Sequence, residues 1–563
     1  WADLPIPIYP AASKVSTWMI QRAIGVLLDV LPPIEDELPQ EVLKKNKLLT
    51  LDKAIRDIHQ PAVTHDWQMA RDTLRFHEAF LLQATLIKRR LENASITATA
   101  RSAGKILDEF DKSLPFTLTA GQVEVGNQIL EDLEREHPMH RMLQGEVGSG
   151  KTLVAVRAML AVAESGGQSA LLAPTEVLAA QHLRSIRKTL GDDLADKLGL
   201  TLLTGQMPAA EHKRALLQIV SGKAQIVVGT HALISEKVEF FDLGLIVIDE
   251  QHRFGVEQRE ALRLKGKQPP HVLTMTATPI PRTLAVTVFG DLDVSTLTEL
   301  PAGRKEITSH VVQLEQPALV ARVWQRIAEE VKAGRQAFVV CPRIDETDTP
   351  EDIEPDEAKK PLAAAVAVAE SLKQNPALAE VQIGLLHGRM SSDEKADVMA
   401  RFTAKEIDVL VSTTVIEVGV DVPNATVMVV LDAERFGVSQ LHQLRGRVGR
   451  GGLPGLCLLL TSAEEGTLAL ERVQAVASTI DGFKLSEIDL ELRREGDVLG
   501  ATQSGGRSSL RLLRVIQDAD LIQHARTLAE QVLASDPTLE KHPVLAESLE
   551  RIDQAAQANL AKA

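Results

Sequence analysis

Cysteine is nearly absent from this 563-residue sequence, and aromatic residues make up only 3% of it, with Tyr9 the sole tyrosine. The two cysteines, Cys341 and Cys457, support neither a disulfide framework nor a zinc site. Each lies in an apolar run (Phe338-Val339-Val340-Cys341 and Leu456-Cys457-Leu458-Leu459), where a small buried thiol is expected. So few aromatics exclude a nucleic-acid surface built on many stacked bases and leave backbone tracking as the alternative. No apolar run reaches the roughly 18 residues of a membrane span, and no basic segment followed by an apolar core opens the chain. A cytoplasmic protein with no membrane partner is expected. An initial methionine is also lacking: the chain starts at Trp1, which suggests a processed or truncated product.

What is present is a globular composition. With 44% hydrophobic residues, the chain has apolar material for roughly three or four domains. Its formal charge of -15 argues against indiscriminate coating of nucleic acid. It does not exclude a basic groove, because exposed charges are screened beyond about 8 Å at physiological salt and local patches matter more than the total.

Residues 1–112 read as a helical segment, most clearly over Asp66 to Arg90, where Trp67, Ala70, Leu74, Phe76, Phe80 and Leu81 recur near helical spacing. From 113 to 300, short apolar runs (Ala170–Ala173, Gln225–Val228, Leu245–Ile248, Val272–Met275) alternate with helical stretches. A second lobe, 301–470, repeats the alternation with Gln336–Val340, Ile383–Leu386, Val409–Val411 and Val427–Val430. Such runs suit buried parallel strands, so the expected fold is α/β, with two tandem parallel-sheet lobes. The stretch 345–360, rich in Asp, Glu and Pro, reads as a solvated loop or insertion. Residues 471–563 read as helical again. No repeat of solenoid type is found.

Gly145-Glu146-Val147-Gly148-Ser149-Gly150-Lys151-Thr152 follows a short strand and opens the helical run Leu153 to Ala163, the context in which a phosphate-binding (Walker A) loop is meaningful. Backbone N–H groups at Gly145, Gly148, Ser149 and Gly150 can face phosphates, and a helix N-terminus favours the negative charge. Lys151 is placed to reach the β and γ phosphates of ATP, and Thr152 to ligate Mg²⁺. A carboxylate at a strand end is also needed to hold the metal. Leu245-Ile246-Val247-Ile248-Asp249-Glu250 supplies Asp249 for the metal and Glu250 as candidate general base, although two acids capping a strand can also be merely solvated.

Charge developing on a transferred phosphoryl group calls for cationic fingers from an opposing lobe. The segment Gln440 to Arg450, with Gln443, Arg447 and Arg450 spaced among glycines, fits that need. A basic helix face on nucleic acid is the alternative.

Together with Ala173-Pro174-Thr175-Glu176, Gly229-Thr230-His231, Thr276-Ala277-Thr278-Pro279 and the run Thr413-Thr414 to Gly419-Val420-Asp421, these boxes resemble helicase superfamily 2 and its RecA-like lobes over about residues 113–460. A closer resemblance is to the RecG family of branch-migration helicases. It rests on Asp249-Glu250-Gln251-His252-Arg253-Phe254-Gly255-Val256 (a DEQH box), Met275 to Leu284, and Leu441 to Gly451. The family's nearest relative, the transcription-repair coupling translocase, typically has Glu at the position of Gln251.

This resemblance implies ATP and Mg²⁺ as cofactors, with Gly419, Asp421 and Gln443 on the nucleotide. Gln122, in Leu114-Pro115-Phe116-Thr117-Leu118-Thr119 and onward, would read the adenine, unless Thr119 simply caps a helix. It implies that Gln251 and His252 relay nucleotide state, and that Thr175, Thr230, Thr276, Thr278, Thr413 and Thr414 serve DNA binding or coupling. It continues through Asp481-Gly482-Phe483, Asp489 to Arg493 and Gln503-Ser504-Gly505. There the family has a helical hairpin and loop that couple lobe closure to movement on duplex DNA, at positions matching Arg472, Arg493 and Gln503. One departure lies here: Arg494-Glu495 stands where the family usually has Gly-Pro. No all-β region precedes Pro7-Ile8-Tyr9-Pro10, so the chain resembles a family member without its N-terminal wedge domain.

The expected function is therefore an ATP-dependent double-stranded DNA translocase that remodels branched DNA in recombination and repair. A monomer is expected, with a single-strand DNA-binding protein as a possible partner. Two rival readings stand beside it: an RNA helicase, which usually has Asp-Glu-Ala-Asp in place of residues 249–252, and a non-catalytic clamp.

Overall fold

The computed structural model describes residues 7–9, 15–250, 256–277, 292–299, 307–342, 365–413, 422–449, 452–492, 511–514 and 517–560. Outside them fall Gln251, His252, Thr278, Thr414, Gly419, Asp421, Arg450, Arg493, Gln503 and the acidic stretch 345–360. Among the described residues the chain forms two compact units. One holds residues up to 96 with those from 511 onward; the other holds 97–277 with 294–492. No helix among the described residues is long and apolar enough to cross a membrane.

The larger unit contains two sheets. The first is formed by β1 (His140–Gly145), β2 (Gln168–Leu172), β3 (Thr201–Leu203), β4 (Ile226–Gly229), β5 (Leu243–Asp249), β6 (His271–Thr276) and β7 (Asp293–Leu297), in the order β3-β4-β2-β5-β6-β1-β7. The second is formed by β8 (Ile307–Gln313), β9 (Gln336–Val340), β10 (Ile383–Leu386), β11 (Val409–Ser412), β12 (Ala425–Val430) and β13 (Gly455–Thr461), in the order β10-β11-β9-β12-β13-β8. Adjacent strands run parallel from β3 through β1 in the first sheet and throughout the second, for example β5 with β6 and β9 with β12. Every residue of β2, β9 and β12 is buried, as expected when helices cover both faces of a parallel sheet. Each apolar run expected to be a strand is one.

The helix Lys151–Glu164 is buried along nearly its whole length, from Val154 to Ala163, which is why its sequence is apolar all round. Helix Lys105–Ser113 adds Leu107 and Phe110 to the same core, so these residues belong with the first sheet rather than with the helical segment before it. Val473, Val476 and Leu485, from helices Leu468–Ser478 and Gly482–Leu492, join the core under the second sheet.

The smaller unit is helical. Its longest helix, Thr64–Ser95, packs Phe76, Phe80, Ala84 and Ile87 against Ile522, Leu528 and Leu533 of Ala519–Ser535 and against Leu545 and Leu549 of Pro543–Leu560. Segments from the two ends of the chain thus share one core. Arg75 pairs with Asp518, and the Glu78 carboxylate accepts backbone N–H groups of Arg511, Leu512 and Leu513 at 2.6, 2.8 and 2.9 Å.

Candidate active site

In the first sheet β6 lies between β1 and β5, with Gln144 opposite Thr276 and Asp249 opposite Met275. Because the three strands are parallel, the loop after β1 and the acids after β5 leave the sheet at one edge, where ligands bind in open α/β sheets. The loop after β1 ends in Gly150, which has φ of +88° and caps the helix Lys151–Glu164. A Cβ there would also stand 2.2 Å from Gln122 Nε2. The left-handed backbone favours glycine, and a side chain there would have to displace the Gln122 amide. Ser149 Oγ is buried without a hydrogen-bond partner, a gap that a phosphate oxygen can fill.

Lys151 Nζ donates to the carbonyls of Gly145 at 2.7 Å and Glu146 at 2.9 Å. Burial lowers its pKa, from the ordinary lysine value to about 8. The negative charges of Asp249, Glu250 and Glu146 oppose that shift, and the positive charge of Arg447 adds to it. Arg447 follows the helix Val438–Arg445 of the second sheet's lobe, so the two lobes meet over this loop. A Cβ on Gly446 would stand 3.5 Å from Cβ of Val147.

Asp249 ends β5 with its Oδ2 at 2.8 Å from His182 Nε2, on the helix Glu176–Leu190. Burial pushes its carboxyl upward, but the His182 hydrogen bond, the charges of His182 and Lys151, and the Glu250 N–H outweigh that. The pKa is held below the ordinary aspartate value. Glu250 is buried and has φ of +51°, a left-handed conformation that costs a non-glycine residue roughly 1–3 kcal/mol and is concentrated at functional sites. Its N–H donates to the Met275 carbonyl at 3.0 Å.

The donor set suits magnesium shared with a nucleotide. Thr152 stands in the first turn after the loop and Asp249 is kept ionised, while no cluster of three metal-ligating side chains occurs among the described residues. Magnesium is commonly held by one or two protein oxygens together with substrate phosphates and water.

Other expected site residues are placed less directly. Gln122 is buried and committed at both ends of its amide: Oε1 accepts the Thr119 N–H at 3.0 Å, and Nε2 donates to the Ser149 carbonyl at 2.9 Å. Thr119 does cap the helix Ala120–Leu133, so Gln122 braces the phosphate loop here, and reading a purine edge requires it to exchange one of these bonds. Gln443 is buried near the finger segment. Among the expected DNA-side threonines that are described, Thr175 alone is exposed, and its hydroxyl caps the helix Glu176–Leu190. Thr230, Thr276 and Thr413 are buried at strand ends. Arg472 is half-buried on the helix Leu468–Ser478. His182 was not foreseen from the sequence, since nothing around it marks a partner 67 positions away.

Comparison with known proteins agrees with this geometry. Residues 119–286 match the DEAD/DEAH box helicase family, residues 319–452 the helicase conserved C-terminal domain, and residues 479–560 the C-terminal part of domain 3 of the ATP-dependent DNA helicase RecG. The ATP-dependent DNA helicase RecG of Mycobacterium tuberculosis is 49% identical over 97% of this chain and 76% of its own length. The RecG of Synechocystis is 44% identical over 96% of this chain and 63% of its own length. A solved structure of RecG bound to a three-way DNA junction superposes with a TM-score of 0.69 and 38% identity, covering 92% of this chain and 66% of that one.

Proposed function

Because this chain belongs to the RecG family of ATP-dependent DNA helicases, we propose that it hydrolyses ATP to pull duplex arms of branched DNA, remodelling stalled replication forks and Holliday junctions. The observation that carries the reading is the packing of the second lobe's arginine segment on the phosphate loop of the first, where a Cβ on Gly446 would stand 3.5 Å from Val147 Cβ and His442 Nε2 lies 3.9 Å from Glu146 Oε1. A site completed only when two lobes meet links nucleotide turnover to their relative motion.

In this reading Lys151 neutralises the phosphates, and Glu250 orients the attacking water and accepts its proton. Arg447 and Arg450 meet the charge that develops on the transferred group. Thr152 and Asp249 would hold Mg²⁺, which supplies charge neutralisation between the phosphates. Gln122, Gly419, Asp421 and Gln443 complete the nucleotide pocket. On the DNA side the exposed Thr175 touches the backbone, the buried strand-end threonines position the loops that do so, and Arg472, Arg493 and Gln503 carry the motion to the duplex. Contacts of this kind read charge and shape rather than sequence, so binding weakens as salt rises. The family reading further assigns a cytoplasmic monomer, with a single-strand DNA-binding protein as partner.

The test is ATP hydrolysis with a synthetic four-way DNA junction, linear duplex DNA or structured RNA, alongside unwinding of the junction. Strongest stimulation by the junction is expected. Equal stimulation by RNA would favour the RNA-helicase rival, and no stimulation by any nucleic acid would favour the non-catalytic clamp.

A further inference from the structure

One acidic side chain of the phosphate loop has contacts that point away from the phosphates, although its charge also acts on Lys151. Glu146 Oε1 accepts the backbone N–H of Gly482 at 2.7 Å and lies 3.9 Å from His442 Nε2. Its backbone carbonyl meanwhile holds Lys151 Nζ at 2.9 Å and accepts the Ser149 N–H at 3.1 Å. The other ring nitrogen of His442, Nδ1, is 2.7 Å from Arg445 Nη2. A guanidinium can only donate, so Nδ1 is the acceptor and the ring proton sits on Nε2, facing the Glu146 carboxylate. Arg445, buried to 2% exposure, donates through Nη1 to the carbonyls of Val476 at 2.5 Å and Thr479 at 2.7 Å.

Glu146 is thus tied directly to Gly482, and beside it His442, too far from the carboxylate for a hydrogen bond, is joined through Arg445 to the end of the helix Leu468–Ser478 and to Thr479 in the turn before Gly482–Leu492. The first of these helices carries Arg472, and the second is followed in sequence by Arg493. A carboxylate that accepts a backbone N–H makes a charge-assisted bond, stronger than a neutral one. Its loop partner, Lys151, is the residue a nucleotide must draw away from the Gly145 and Glu146 carbonyls.

We propose that Glu146 is a positioning residue that ties the phosphate loop to the turn 479–482, so that nucleotide-driven movement of the loop is passed to the two C-terminal helices. This rests on reading the chain as a DNA-coupled ATPase, and it adds the loop residue at which coupling begins. Loss of the tie uncouples DNA from hydrolysis while leaving the hydrolytic groups in place.

The cleanest probe changes Gly482. The Asp481 carboxylate accepts the N–H groups of Phe483 at 2.9 Å and Lys484 at 3.3 Å, and the Leu485 N–H reaches the Asp481 carbonyl at 3.0 Å. Asp481 is therefore the helix N-cap and Gly482 the first helical residue, the position where proline is favoured because the helix does not use that N–H. Gly482→Pro deletes the donor to Glu146 and suits the helix; Gly482→Ala keeps the donor.

Expected for Gly482→Pro, against Gly482→Ala, are an unchanged DNA-free ATPase rate and KM for ATP, with DNA-stimulated kcat and junction unwinding per ATP each reduced by about tenfold. Glu146→Gln, which keeps the shape but weakens the acceptor, is expected to lower the ratio of stimulated to basal hydrolysis in the same direction, and it reads the tie should Gly482→Pro unfold on heating. The proposal is overturned if Gly482→Pro, or Glu146→Gln in its place, keeps the wild-type ratio, or if basal and stimulated rates fall together. A wild-type chain that shows no DNA stimulation would instead overturn the proposed function.

Discussion

The His182 imidazole and the Asp249 carboxylate stand 2.8 Å apart, Nε2 to Oδ2, joining the helix Glu176–Leu190 to the tip of β5. That bond fixes the direction of the carboxylate and keeps it ionised against its burial.

Removing the bond with His182→Ala releases the carboxylate and raises the Asp249 pKa. A hydrogen bond to a charged group is worth roughly 1.5–3 kcal/mol, so the apparent magnesium requirement for ATP hydrolysis rises by about tenfold or more. The sign of the pH effect follows. A carboxyl held low stays ionised at mildly acidic pH, so without His182 the acid limb of the ATPase profile moves to higher pH. A magnesium titration and a pH profile that both match wild type would remove His182 from the site.

Lys151 gives the opposite limb. Its pKa of about 8 in the nucleotide-free site means that it loses charge as pH rises through that value. Phosphates stabilise the charged form and raise the pKa, so ATP binding near and above pH 8 takes up a proton. Calorimetric titration in buffers of different ionisation enthalpy measures this directly. Binding with no proton uptake at pH 8.5 contradicts it.

Arg447→Ala and Arg450→Ala are expected to reduce hydrolysis by about 10³ to 10⁵, or roughly 4–7 kcal/mol of barrier, while ATP binding survives. Near-normal turnover in either variant removes that arginine from the phosphoryl-transfer step. Arg450 lies outside the described residues and is assigned from the motif alone.

Phe80 is fully buried where the long N-terminal helix meets the C-terminal helices. Phe80→Ala leaves a cavity and costs about 3–5 kcal/mol. Thermal unfolding should show the loss in a transition that ATP does not shift. A Tm unchanged by the substitution would argue against a core shared by the two chain ends.

Short-range order in the chain was enough to recognise the strand-loop-helix at Gly145–Thr152, the acids that end β5 and the arginine segment after Val438–Arg445, because each is contiguous and its spacing is set by local geometry. Most buried central strands were equally plain, since burial on both faces demands unbroken apolar runs. The edge strands β3, β7 and β8 and the interior β13 were not read: β3 has only three residues and β8 buries only Ile307 and Val312 fully, so their patterns do not stand out. The threonines Thr230, Thr276 and Thr413 fall at strand ends, but their burial depends on neighbouring strands and helices that no local pattern describes.

Composition, periodicity and motif spacing therefore settled the α/β class and the two lobes, and pointed to the residues proposed to handle phosphate. Folding decided which partners those residues have. His182 reaches Asp249 across 67 positions and Glu146 reaches Gly482 across 336, and helices from the two ends of the chain share a core. Such pairings arise when layers pack and distant side chains meet, so they leave no mark in the local sequence around either partner.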